Sequence, residues 1–276
     1  MIRLRALLLS GLLLSGLLAA SPARAGTACQ EQAVGPAQVA DAAATARRVF
    51  AELETLDAPV VLLSRAGTDL SRYGLHYSHV GFVVRDHPNG RWTVVHLLNR
   101  CGTDRSGIYA QGLVNYFLDD LVAQDARITV LEPAYAARLA RELAGGAPLR
   151  LHEPRYNVIS RHDSLRSQNS TAWVIEQLSA ARLREDRPVD RRLAKAVQQS
   201  DGFEPDVLRI AYSRRVLGGL FSANADFGEH PLPSRLAGEY RVVTVRAILR
   251  HLQRLGLVEK EWEWRGGRVM QQPGPA

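Results

Sequence analysis

The stretch from His79 to Asn99, HVGFVVRDHPNGRWTVVHLLN, limits what this chain can fold into more than any other part of it. Two apolar, β-branched runs, Val80 to Val84 and Trp92 to Leu98, flank His87-Pro88-Asn89-Gly90. Proline pre-sets φ for a turn and Asn-Gly accepts positive φ, so the runs read as an antiparallel hairpin. If the loop spans His87 to Gly90, Asp86 pairs with Arg91, Gly81 lies opposite His96 and His79 opposite Leu98. The two histidines then share a sheet face as diagonal neighbours, about 5–8 Å apart. A two-residue loop keeps them on that face but moves them about 13 Å apart along the strand. Burying a histidine is costly and glycine weakens a strand. Their company at the mouth of an apolar strand marks either an awkward edge or a place where something approaches the backbone beside an imidazole.

The rest of the chain supplies elements around this hairpin. Residues 37–56 and 134–144 have helical apolar spacing, and 59–64 and ARITVLEP read as strands. A short amphipathic helix is expected around LVNYFLDDL. NSTAWVIEQLSAARL reads as a helix capped by Asn169 or Ser170, and 188–200 as a basic helix. The segment DFGEHPLPSRLAGEY reads as a long surface loop. The strand YRVVTV, the helix RAILRHLQRLG and a polar tail over 265–276, expected to be disordered, close the chain. The pattern is α+β, with one domain over 26–264.

The N-terminus carries Arg3 and Arg5, an apolar run from Leu7 to Ala20, and Ala23-Arg24-Ala25. This is the layout of a secretory signal peptide cleaved after Ala25. It leaves about 250 residues for the periplasm or the exterior, with no later apolar run long enough for a membrane helix. The leader holds three arginines and no acid, so its removal lowers the formal charge from +7 to +4. The remaining basic residues are scattered, which argues against a nucleic-acid surface. In an oxidising compartment the two cysteines, Cys29 and Cys101, are expected to pair. No dinucleotide or P-loop fingerprint is present, so no cofactor is expected. His152, His162, His230 and His251 lack metal-ligand spacing, and Asp119-Asp120 point about 100° apart on a helix, so no metal is expected either. Nothing in the sequence sets an oligomeric state.

His79-Val80-Gly81-Phe82 followed by Val94-Val95-His96 resembles the histidine strands of NlpC-type, papain-like cysteine peptidases. Tyr156-Asn157 with Gln168-Asn169-Ser170-Thr171-Ala172-Trp173-Val174 resembles the nucleophile block of the circularly permuted members, which include the lecithin–retinol-acyltransferase-like proteins. The resemblance covers roughly residues 60–180. It implies a permuted papain-like core with a small antiparallel sheet, flanking helices and a C-terminal extension. It also implies His79 as base, His96 as its orienter and a nucleophile at position 170. There the family has cysteine and this chain has Ser170, which needs a much better base. On this reading Tyr77, Gly81, Asn157, Gln168 and Asn169 line the substrate groove. The substrate is then an amide or ester such as a cell-wall peptide or lipid. Over most of its length the chain also resembles an exported proteobacterial family catalogued as a domain of unknown function. A second class of function stands beside the enzyme. It is a periplasmic ligand- or peptide-binding protein on the same fold, using the histidines with a rim of Tyr73, Tyr77, Trp92, Arg65, Asp69 and Arg72.

Overall fold

A computed structural model describes residues 34–119, 121–144, 146–183, 188–215, 223–266 and 268–271. The expected leader and Cys29 lie outside them, and so does the expected Cys29–Cys101 pairing. In chain order the elements are α1 (Pro36–Leu53), β1 (Val60–Ala66), β2 (His79–His87), β3 (Gly90–Asn99), β4 (Ser106–Gln111), α2 (Leu113–Leu118), β5 (Ala123–Leu131), α3 (Pro133–Ala144), α4 (Ala147–Arg150), α5 (Ser170–Ala180), α6 (Arg191–Ser200), β6 (Asp206–Arg209), α7 (Leu232–Ala237), β7 (Glu239–Val242), α8 (Val245–Arg254), β8 (Val258–Arg265) and β9 (Arg268–Gln271).

The fold is α+β. Seven strands, all antiparallel, form one sheet in the order β4–β3–β2–β1–β5–β8–β9, and β6 pairs with β7 in a second, two-stranded sheet. The hairpin has the register in which Asp86 lies opposite Arg91 and Phe82 opposite Val95, but its loop is shorter than the one expected with that register: His87 pairs with Gly90, so only Pro88 and Asn89 connect the strands, and the histidines stay neighbours across a two-residue loop. Gly90 takes φ 131°, as the turn requires. Trp92 takes φ 58°, in the left-handed region, at a cost of about 1–2 kcal/mol for a side chain of this kind. The cost is offset by complete burial of the indole, whose Nε1–H donates to the Glu54 carboxylate. Trp92 is therefore core and not the groove wall expected of it.

Alternation along the strands sorts their side chains onto two faces. Val61, Leu63, Val83, Val94 and Ile128 face α1 and α2, packing with Val49, Leu53, Tyr116 and Phe117. Val60, Leu62, Val80, Phe82, Val95 and Leu97 face α3, α5 and α8, where the Phe82 and Trp173 rings meet edge to face at 5.5 Å. The result is a sheet with helices on both sides. Every residue of α5 is buried, so its polar groups need partners. The fully buried Glu176 receives Arg191 Nε at 2.7 Å, Lys195 Nζ at 2.8 Å and Gln168 Nε2 at 2.7 Å.

The sheet is larger than the small one expected, and two of its strands lie near the C-terminus. VEKEWEWR, β8, alternates glutamates with bulky residues. Trp262 and Trp264 pack on the α1 side, while Glu261 and Glu263 are buried on the other face. Arg268–Gln271, within the tail expected to be disordered, adds to β8 as a strand because Gly266, at φ 55°, turns the chain back.

Candidate functional site

The sequence-derived candidate begins with the two histidines, and the hairpin brings them together. His79 Nε2 lies 2.9 Å from His96 Nδ1, and His96 Nε2 lies 3.0 Å from Gln111 Oε1 on β4. An amide oxygen accepts, so His96 carries its proton on Nε2, and His79 donates from Nε2 to His96 Nδ1. Gly81 makes this possible. A Cβ there would meet Val94 Cγ1 at 2.9 Å and His96 Cβ at 3.1 Å. The close neighbour is thus the adjacent strand, not the substrate of the expected groove. Arg65, within β1, lies 4.5 Å over the Tyr116 ring, and its Nη2 donates to Asp119 at 2.6 Å. Burial first, and the Arg65 charge second, hold both histidines neutral: His96 is pushed down to about 4, and His79 falls well below the usual imidazole range.

Ser170 is not part of this cluster. His79 and His96 share the parity of Val83 and Val94, and their rings lie 5.9 and 5.3 Å from Tyr116, on the α1–α2 side. Ser170 opens α5, which packs on the opposite face. The sheet stands between the expected base and the expected nucleophile, so the Ser170–His79–His96 triad is not assembled. Ser170 instead shares a hydrogen bond with the Tyr156 phenol. Its neighbours in the expected groove hold the scaffold. Asn169 caps α5, its Oδ1 accepting the Ala172 N–H at 2.7 Å. Gln168 donates to Leu151 O and Glu176 and accepts from the Glu153 N–H. Asn157 donates to Asp226 O at 2.8 Å and accepts its N–H at 3.0 Å.

A different concavity lies on the α8 side of the sheet. It holds about 300 Å³ and is lined by Arg127, Arg246, Arg250, Arg265, His76 and Tyr77 among others. Tyr77 is the one expected groove residue found there. Each arginine is braced by a carboxylate. Asp206, 6 % exposed, accepts from Arg246 Nε and Arg250 Nη1, both at 3.0 Å. Glu261 accepts from Arg127 Nε at 3.0 Å, Thr129 Oγ1 at 2.7 Å and Gln253 Nε2 at 2.8 Å. Glu263 accepts from Arg265 Nε at 2.8 Å and Tyr77 Oη at 2.7 Å. The contacts to Arg246, Arg250 and Thr244 hold the Asp206 carboxyl below its usual range against the opposing effect of burial, which is the largest single influence on it. Buried carboxylates thus fix four guanidinium planes at the cavity wall, and a braced guanidinium is a rigid fork for a carboxylate or phosphate.

The sequence did carry a signal for this place. Arg246, Arg250 and Gln253 recur at helical spacing on α8, Arg127 and Thr129 alternate on β5, and Glu261 and Glu263 alternate on β8. Taken singly in the sequence, these read as solvated polar side chains. Only the packing of three elements sets them around one space. Among the described residues, no three His, Cys, Asp or Glu side chains are grouped to hold a metal ion, and no helix is long and apolar enough to cross a membrane.

A family model described as an uncharacterized protein conserved in bacteria (DUF2145) matches residues 52–252. The chain belongs to this family. The matched span of the DUF2145 chain takes in the histidine hairpin, α5 and the cavity residues His76, Tyr77, Arg127, Arg246 and Arg250, while Arg265 follows it. Neither the curated proteins nor the solved structures contain a match to the chain.

Proposed function

We propose that this protein is an exported envelope protein that binds an anionic ligand, a phosphate- or carboxylate-bearing small molecule or peptide, in the arginine-lined cavity. The observation that carries the reading is four guanidiniums around one concave space, each oriented by a carboxylate behind it. An anion entering there meets donors that need no reorganisation, which lowers the entropic cost of binding. The neutral, buried histidine pair belongs to the scaffold on this reading. The permuted papain-like likeness stays in the proposal at the level of element order alone, a histidine hairpin followed later by an Asn169-capped helix. The export signal over residues 1–25 and the Cys29–Cys101 bridge complete the proposal.

The test is calorimetry and thermal melting of the mature protein with inorganic phosphate, succinate and a short peptide with a free C-terminal carboxylate. Binding of at least one, weakened at least about tenfold in Arg246→Lys and Arg250→Lys, is the expected result. Lysine keeps the charge that Asp206 requires but loses the fork. Absence of binding by any of the three, or binding indifferent to both substitutions, would count against the cavity.

A further inference from the structure

The cavity wall also carries a side chain that anion binding alone does not use, with a buried carboxylate behind it. His76 sits on its wall with 37 % of its side chain exposed, and its Nε2 lies 2.9 Å from Asp125 Oδ2. Asp125, near the start of β5, is buried, and its second oxygen accepts the Gly266 N–H at 2.9 Å. The carboxylate is therefore held from both ends, and the ring is held by it and by the Tyr77 ring, met edge-on at 4.8 Å. A carboxylate only accepts, so it takes Nε2–H and leaves Nδ1 as the basic nitrogen of His76. This is the arrangement of an oriented general base.

We propose that the cavity hydrolyses phosphate esters, with His76 as general base and Asp125 as the residue that positions it; this rests on the anion-binding reading above. Phosphate is the favoured anion because charge spreads over its non-bridging oxygens during transfer, and several fixed guanidiniums can hold it there. None of the described residues lining the cavity is a serine, threonine or cysteine, and the Tyr77 hydroxyl is engaged by Glu263, so the attacking group is water. The water oxygen bonds to phosphorus as one of its protons passes to His76 Nδ1. The bond from phosphorus to the ester oxygen breaks. The departing oxygen, on the opposite side of phosphorus, takes a proton from solvent as His76 gives its own proton to solvent, giving the alcohol and phosphate and restoring the neutral ring.

The experiment measures release of p-nitrophenol from p-nitrophenyl phosphate and bis(p-nitrophenyl) phosphate by the mature protein, beside calorimetric binding of inorganic phosphate. Turnover of one ester is expected to fall about 10²-fold or more in His76→Gln, with phosphate still bound. Asp125→Asn should lower kcat with KM unchanged and an unchanged melting temperature, a split that a merely structural role would not produce. Phosphate binding without hydrolysis of either ester, or equal turnover by His76→Gln, would overturn the dyad and leave the anion site standing. Failure of the wild-type protein to bind phosphate would overturn the hydrolytic proposal and weigh against the anion reading with it.

Discussion

At the scale of single residues, the hairpin is governed by what Gly81 lacks. Residues in the pleat at Gly81 and His96 are opposite one another, and the imidazole Cβ and the Val94 methyl occupy the space a side chain at position 81 would need. That absence lets His96 stay fully buried while both ring nitrogens are satisfied, by His79 on one side and Gln111 on the other. Three neighbouring strands, β2, β3 and β4, are thereby tied through one polar chain, which penalises any register slip that would leave an imidazole unpaired. Gly81→Ala is expected to destabilise the fold by about 1–3 kcal/mol through overpacking, read as a lower denaturant midpoint with unchanged slope. A variant as stable as the wild type would mean that β3 yields at this point.

At the scale of elements, α5 separates two roles that the sequence places side by side. Asn169 makes the cap hydrogen bond and Ser170 is the first helical residue. Being at a helix start supplies oriented N–H groups but no base. The base must come from whatever packs against that end, and the two histidines are on the far side of the sheet. Ser170 is accordingly expected to stay unlabelled by a fluorophosphonate probe, while Asn169→Ala lowers stability by about 1 kcal/mol through loss of the cap. Mass spectrometry of the treated protein checks the first and chemical denaturation the second. An adduct on Ser170 would show that another base reaches it.

At the scale of the whole molecule, burial has drawn six of the eight histidines into positions that disfavour their charged form: His79, His96, His152, His162, His230 and His251 all have lowered pKa values, with burial the largest cause for each. In the unfolded chain each titrates near 6.5. Above that pH both states are neutral, and the histidines contribute no pH dependence. As the pH falls from about 6.5 towards 4, the unfolded chain binds protons that the folded chain refuses, so stability falls. His96 alone accounts for a loss on the order of 3 kcal/mol across that window. The unfolding midpoint is expected to be level above pH 7 and to decline steadily between pH 6.5 and 4, and His96→Gln should flatten part of the slope. A midpoint constant across that range would contradict the burial of these rings.

What the sequence determined by itself is local. The Asn-Gly signal and the β-branched runs on either side of it specified the hairpin and the shared face of His79 and His96, because the pleat follows from residue order alone, while the register, open between two loop lengths, was decided by the structure. The capped helix at 170 and the helices at 36–53 and 133–144 were legible for the same reason, since a 3.6-residue period is a local property. β8 was not, because its inward glutamates look like surface charges until Arg127, Arg265 and Tyr77 are seen to meet them. The tertiary structure alone decided which helix covers which side of the sheet. That choice separated Ser170 from the histidines and gathered Arg127, Arg246, Arg250, Arg265, His76 and Asp125 from four distant segments into one place. A residue's face is written in its strand, but the element that will lie over that face is chosen by the competition of all the apolar surfaces for one core, and no short motif records the outcome.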